Sequence, residues 1–187
     1  MAKDGAQVRL APDGKVYVGP VGSTLPTNAT MAVNAALSDL GYISEDGVAL
    51  TPGVDINDVM MWQSAVPVKR TLDTASFEVK FSMGQVNKAT WGLYFFNNSA
   101  WANNFGQAKL TLLSNPGTQD CALIIEWVDD EADQCRLVLP KATLTDRDDL
   151  QLTRTDPVLS GVTFSALDFN GVFGYVYSDN PDLVPTS

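Results

Sequence analysis

The sequence contains no histidine, and this absence removes much of ordinary enzyme chemistry. Without an imidazole there is no Ser-His-Asp or Cys-His catalysis, and no metal site can use a histidine ligand. The chain also lacks the glycine-rich signatures G-x-x-x-x-G-K-[ST] and G-x-G-x-x-G, through which many proteins bind nucleotides. We therefore predict no catalytic residue, no cofactor and no metal site, and we expect that the protein is not an enzyme.

Cysteine is scarce, with only Cys121 and Cys135 present. Two apolar runs, 121–128 and 135–142, flank a polar loop and so predict a hairpin. That hairpin would hold the two sulfurs near its opposite ends, whereas a disulfide needs Cβ atoms ~4 Å apart. We expect two free, mostly buried thiols. The acidic loop 129–133 suggests calcium, but it lacks the spaced D-x-D-x-D-G pattern, which favours a solvated loop.

Basic residues are few: Lys and Arg number 12 against 22 Asp and Glu, for a net charge of −10. None lies between Val16 and Val68, and none follows Arg154. Proteins that grip nucleic acid carry basic patches that release counterions from the phosphates. An acidic chain of this kind disfavours tight DNA binding and allows only non-adhesive contact.

Long apolar runs are missing as well. No run approaches the ~18 residues that suggest a membrane span, and the opening MAKDGAQVRLAPDG lacks the apolar centre of a signal peptide. We expect a soluble protein that is made in a cytoplasm and has no membrane partner.

The clearest local signals lie between Asp73 and Phe96. Apolar and polar side chains alternate there as in a half-buried strand: Phe77, Val79, Phe81 and Met83 alternate with Ser76, Glu78, Lys80 and Ser82. The period then becomes helical, at Val86, Ala89, Leu93 and Phe96. Ser82 and Gln85 have the spacing of a capping box, so we predict a strand that leads into a short helix packed on its sheet.

The remaining segments suggest one domain of residues 1–187. An irregular N-terminal arm is expected at 1–30, a long loop or arm at 44–60 and a C-terminal tail at 178–187. An extended run at 54–70 is expected to pair with the strand above through a turn around Thr71–Asp73. Asn170-Gly171 predicts a hairpin between 158–169 and 172–177. In all, roughly eight strands and one helix predict a mainly β fold with a sandwich or barrel-like core.

These features together resemble the major tail proteins, or tail tube proteins, of long-tailed siphophages, particularly those that infect actinobacteria. Order and spacing match across most of the chain. The residues that carry the resemblance are Val16-Tyr17-Val18-Gly19-Pro20, Leu25-Pro26-Thr27, Leu40-Gly41-Tyr42-Ile43-Ser44-Glu45-Asp46-Gly47-Val48, Asp55-Ile56, Trp62-Gln63, Phe77-Glu78-Val79, Asn87, Leu93-Tyr94 and Val162-Thr163-Phe164.

The resemblance implies two packed antiparallel sheets with one flanking α-helix. It further implies a structural virion protein whose hexameric rings stack into the tail tube, a conduit for DNA ejection. The implied partners are other copies of the chain, a tape measure protein in the lumen, tail terminator and distal tail proteins, and genomic DNA in transit. Glu78, Lys80 and Ser82 are candidate lumen-facing residues, and ordinary outward exposure is the alternative for them.

Two other functional hypotheses remain open at this point. One is a related ring component, such as a secretion-system tube protein or a tail-completion protein. The other is a monomeric glycan-binding β-sandwich that stacks sugars on tryptophans. Its candidate platforms are Trp62, Trp91, Trp101 and Trp127.

Overall fold

The computed structural model describes residues 7–95 and 101–185. Its architecture is mainly β, with two antiparallel sheets and one helix, as the sequence predicts. The strands are β1 (Asp13–Gly19), β2 (Ser38–Asp39), β3 (Ile43–Val59), β4 (Lys69–Met83), β5 (Trp101–Asn104), β6 (Gln107–Leu110), β7 (Asp120–Val128), β8 (Gln134–Arg147), β9 (Ser160–Ala166) and β10 (Tyr175–Ser178). The helix α1 spans Lys88–Tyr94, and a 3-10 turn spans Pro181–Leu183.

The larger sheet has the order β2-β1-β7-β8-β9-β4-β3, with β10 paired to β8 as well. The long strand β8 joins its two halves, because residues 135–138 pair with β10 and residues 142–147 pair with β9. The sheet curls so that β1 and β7 face β4 and β9 across a single core. The smaller sheet is the β5–β6 hairpin.

The alternating segment before the helix is a strand, as predicted. Val79, Phe81 and Met83 of β4 are buried, and Phe77 is half-buried against the same core. The Phe81 ring stacks on Phe164 of β9 with centroids 5.8 Å apart. These contacts pack the inner face of β4 into the hydrophobic core.

The helix is present, but its predicted start is wrong. Ser82 still belongs to β4, so it cannot cap a helix, and the N-cap is Asn87. The Asn87 side chain accepts hydrogen bonds from the Ala89 and Thr90 amides, and Thr90 Oγ1 accepts one from the Asn87 amide. Leu93 of the helix lies in the core, which confirms that the helix packs on the sheet. Phe96 lies outside the described residues.

The segment 44–60, predicted as a loop or arm, is strand along most of its length. It forms β3, which pairs with β4 from Val48 to Val59. The predicted turn at Thr71–Asp73 is also wrong, because these residues lie inside β4 and the chain reverses between residues 59 and 69. Pro52 fits this arrangement because β3 is an edge strand, where a missing N–H costs no ladder hydrogen bond.

Much of the predicted N-terminal arm belongs to the domain itself. Its one short strand, β1, contributes Val16 and Val18 to the core. The segment that follows covers the outer face of β7 and β8, where Leu37 packs in a second apolar cluster. Arg136 Nη1 donates to the Asn28 carbonyl at 2.5 Å and so fastens this cover. The predicted C-terminal tail, 178–187, begins at the last residue of β10.

Asn170-Gly171 makes the predicted turn, but not the predicted hairpin. Both residues have positive φ, 57° and 86°, and Phe169 and Val172 bridge the turn. The flanking strands do not pair with each other. Instead β9 adds to the second half of β8, and β10 adds to the first half. The Asn-Gly turn therefore reverses the chain direction. Because β8 is long, β9 and β10 each pair with a different part of it.

Replacing Phe81 with Ala should lower the free energy of unfolding by about 3–5 kcal/mol, because a buried, stacked ring leaves a cavity. Phe105→Ala is the matched control, since Phe105 is fully exposed. The control should change the free energy of unfolding by less than ~0.5 kcal/mol. Denaturant titration of both variants measures the difference, and equal losses would contradict the core assignment.

Candidate assembly surfaces

The three candidate lumen residues lie together on the face of β4 that points away from the core. Glu78 stands opposite Ser165 of β9, Lys80 opposite Thr163, and Ser82 opposite Gly161. Glu78 and Lys80 are exposed, and Ser82 is half-buried. The structure thus places all three on one open polar face, which we call the polar face.

An ion pair orders the centre of the polar face. Lys80 Nζ lies 2.9 Å from Asp148 Oδ1, and this contact raises the pKa of Lys80 through the hydrogen bond and the negative charge of Asp148. Gly161 makes room for the acid, because an added Cβ there would lie 2.4 Å from Asp148 Oδ2. The lysine is therefore held beside a carboxylate at the protein surface.

The polar face continues onto the neighbouring strands. Thr51 of β3 stands opposite Glu78, and Thr143 of β8 stands opposite Ser165. A second lysine, Lys141, lies 3.5 Å from Asp120. The charged groups along this surface are Glu78, Lys80, Asp120, Lys141, Asp146 and Asp148. Four carboxylates against two lysines give an acidic surface whose lysines are both paired.

Strand β3 forms an open edge of the sheet. It pairs with β4 on one side and is the last strand in the sheet order. Its 17 residues make it the longest strand in the described part of the chain. The backbone N–H and C=O groups on the free side are a template for pairing with another chain.

The hairpin formed by β3 and β4 carries an uncovered apolar face. Leu50 stands opposite the buried Val79, so its side chain lies on the core side of the sheet. The same side further along the hairpin bears Val54, Ile56 and Leu72, which are 65%, 55% and 65% exposed. The apolar face of the core therefore extends beyond the core without a covering element.

The tip of the hairpin, residues 60–68, is also apolar and exposed. Trp62 is 98% exposed, whereas the other three tryptophans are half-buried. Arg70 at its base pairs with Asp58 at 2.9 Å. The other large apolar side chains exposed at the tip are Met60, Met61, Val66 and Val68. An apolar surface of this kind on a single chain marks a site of contact with a partner.

The remaining tryptophans do not form a platform for sugars. Trp91 and Trp127 are half-buried, and Trp127 packs against the core. Trp101 is also half-buried, and its Nε1 donates to the Lys88 carbonyl at 3.0 Å. No two tryptophans stack among the residues described, so the geometry does not favour glycan binding.

The aspartates of the acidic loop 129–133 use their carboxylates within the protein. Asp129 is buried and accepts hydrogen bonds from the Glu131 and Asp133 amides at 3.0 and 2.9 Å. Arg9 lies 3.6 Å from Asp129 and 3.8 Å from Asp133. Within residues 7–95 and 101–185, no group of three or more Cys, Asp or Glu side chains is placed to hold a metal ion.

The two cysteines are free, as predicted. Cys121 is buried, and burial raises its pKa to about 12. Cys135 is half-buried, with its Sγ 3.3 Å from Ser178 Oγ. Cys121 is therefore a packing residue with almost no thiolate at neutral pH.

Cys121 should resist alkylation in the folded protein, because at pH 8 its thiolate fraction is only ~10⁻⁴. In denaturant it should react at once. Folding raises this pKa from 9.0, so the stability from the neutral thiol is complete below pH 9 and is lost as the pH rises towards 12. Mass spectrometry of iodoacetamide-treated protein checks the first expectation, and rapid native labelling of Cys121 would contradict it.

Sequence reasoning located the polar strand but missed two features. It did not identify Asp148 as the partner of Lys80, since 68 residues separate them in the chain. It also missed the exposed apolar face of the hairpin, although it predicted that an extended run at 54–70 pairs with the β4 strand, which the structure confirms for residues 54–59. Leu50, Val54 and Ile56 recur at even spacing in the sequence, which indicates one face of a strand.

Comparison with solved structures gives the fold type. The chain resembles a chain in a "cryo-EM structure of the anti-feeding prophage (AFP) baseplate, 6-fold symmetrised", with a TM-score of 0.51 and 11% identity. The match covers 94% of this chain and 97% of the other. No curated protein matches the sequence. In the described part of the chain, no helix is long and apolar enough to cross a membrane.

An antiparallel β domain with an open edge and an uncovered apolar hairpin has two kinds of surface that suit pairing with other chains. The family of phage tail tube proteins matches residues 1–181. The chain belongs to this family and is a structural protein of a phage tail. This confirms the resemblance to tail tube proteins that the sequence shows.

Proposed function

We propose that six copies of the chain close into a ring and that the rings stack into the tail tube of a siphophage. The tube serves as the conduit for DNA ejection. The protein is made in the cytoplasm of the bacterial host and ends up in the virion tail. Family membership supports the tube, and the hairpin observations below support self-assembly.

The single observation that carries self-assembly is the hairpin of β3 and β4. One side of β3 has free backbone groups, and the core-side face of the hairpin has exposed Val54, Ile56 and Leu72. Edge pairing satisfies backbone groups, and apolar burial contributes roughly 25 cal/mol per Å². A neighbouring copy supplies both, and a closed ring leaves no such edge exposed.

The polar face is the proposed wall of the lumen. Glu78, Lys80 and Ser82 lie at its centre among threonine and serine side chains. Its surplus of carboxylates repels the phosphate backbone, and each of its two lysines is already ion-paired with an aspartate. Such a wall lets duplex DNA pass without sticking.

The proposed partners follow from this arrangement. A tape measure protein fills the lumen before DNA enters it, and tail terminator and distal tail proteins close the two ends of the tube. A related ring component, such as a tail-completion or secretion-type tube protein, is the alternative. The likeness in fold to a baseplate chain favours that alternative over a monomeric sugar-binding protein.

Purified protein should form hollow tubes or six-fold rings as its concentration rises. Negative-stain electron microscopy of a concentration series, with light scattering on the same samples, measures this. The expected driving force is burial of the apolar hairpin together with edge pairing. Monomers at every concentration, also after adding tail tips as initiators, would overturn the proposal.

Charge reversal on the polar face should slow DNA release without preventing assembly. Glu78→Lys leaves the surface with three lysines and three carboxylates, and an unpaired lysine attracts phosphate. Glu131→Lys is the matched control, because it makes the same charge change on the exposed β7–β8 loop. Fluorescent-dye measurement of DNA release from phage carrying each variant compares them. Equal release rates for the two variants would contradict the proposal that the polar face lines the lumen.

A further inference from the structure

A groove opens where the two ends of the curled sheet approach each other. It lies between β1 and β3, has a volume of about 830 Å³, and we call it the β1–β3 groove. Apolar side chains line it, including Val16, Ile43, Val48, Ile125 and Trp127. Its volume falls within the ~300–1,000 Å³ typical of ligand pockets.

The rim of the groove is acidic. Five acidic residues line the groove against one basic residue, Lys15; the five are Asp13, Asp39, Glu45, Asp46 and Glu126. Glu126 is already paired with Arg136. The other four leave a negative rim around an apolar interior.

Part of the groove wall is a stretch of β3 whose residues do not pair with β4. The β3–β4 ladder is interrupted between Ile43 and Val48, so residues 44–47 carry no partner in the register with β4. Gly47 has a φ of 69° there, which favours glycine. One wall of the groove therefore carries the carboxylates of Glu45 and Asp46 on a stretch of β3 that is not in register with β4.

The hairpin tip has the complementary chemistry. Residues 60–68 contain no acidic residue, and their exposed side chains include Met60, Met61 and Trp62. Lys69 and Arg70 follow directly, and they are the only basic residues between Lys15 and Lys80. Arg70 is already paired with Asp58, so Lys69 is the basic residue offered to the rim. An aromatic anchor beside a lysine suits an apolar groove with a negative rim.

The tip cannot reach the groove of its own chain. Gly47 lines the groove, and Met60, the first residue after β3, lies 13 residues further along the chain. An extended strand rises about 3.3 Å per residue, which places the tip about 43 Å away. Pairing with β4 runs from Val48 to Val59 and keeps the hairpin extended. Only another molecule can present this tip to the groove.

We propose that the β1–β3 groove receives the hairpin tip of a second copy of this chain, with Trp62 as the anchor. This contact rests on the proposed self-assembly and specifies which two surfaces meet. The groove takes the apolar side chains of the tip, and its acidic rim faces Lys69, the basic residue beside the tip that is not paired with Asp58.

Crosslinking between two different variants tests the contact. One variant carries Gln63→Cys at the tip and the other carries Glu45→Cys at the groove, both with Cys135→Ser to remove the more accessible native thiol. Under mild oxidation a mixture should give a disulfide dimer whose linked peptides hold positions 63 and 45. Gln107→Cys on the exposed β5–β6 hairpin replaces the tip variant as a control and should give at least tenfold less dimer.

A second pair of variants measures how much Trp62 contributes to assembly. Trp62→Ala should raise the concentration needed for assembly at least about 30-fold, the scale of a binding hot spot. Phe105→Ala should leave it unchanged, because that exposed ring lies at the tip of the β5–β6 hairpin, outside the contact.

The possible results separate this contact from the proposed function. Wild-type tubes that form without a 63–45 crosslink, or that tolerate Trp62→Ala, overturn the contact and leave the tube intact. Failure of the wild type to assemble, together with no crosslink at high concentration, overturns both. A crosslink with loss of assembly in Trp62→Ala supports both.

Discussion

The β3–β4 ladder is the interaction on which the rest of the structure depends. At one end it carries Val79, Phe81 and Met83 into the core, where they meet residues from β1, β7 and β9. At the other end the same ladder runs out past the core and presents an apolar face with no cover. Because the two strands stay paired from Val48 to Val59, the core fixes the direction in which the hairpin projects.

This continuity explains how one chain can be both a stable domain and an incomplete one. The buried part contains a stacked aromatic pair, Phe81 and Phe164, and a helix capped at Asn87. The projecting part contains Trp62 and several exposed aliphatic side chains that water solvates poorly. The proposed assembly uses the projecting part, so the domain need not unfold to find its partners.

Charge is arranged by the same sheet. Its alternation sends Glu78 and Lys80 to the face opposite the core, and neighbouring strands add threonine, serine and further carboxylates to that face. Each lysine on this surface lies beside an aspartate, Lys80 with Asp148 and Lys141 with Asp120. As the proposed lumen wall, this face presents a surplus of carboxylates that repels a polyanion.

The sequence by itself determined the strand at 76–83, the β7–β8 hairpin, the free cysteines and the family, because each depends on local alternation or on residues close in the chain. It misplaced the helix cap, the turn before β4 and the partners of β9 and β10. Those features depend on which strands meet, and several strands of similar pattern can meet in more than one register. Only the tertiary structure decided that Asp148 reaches Lys80, that Asn170-Gly171 turns the chain without joining β9 to β10, and that Trp62 stands away from the core. The physical reason is that burial and pairing are properties of the whole sheet, whereas periodicity is a property of a segment.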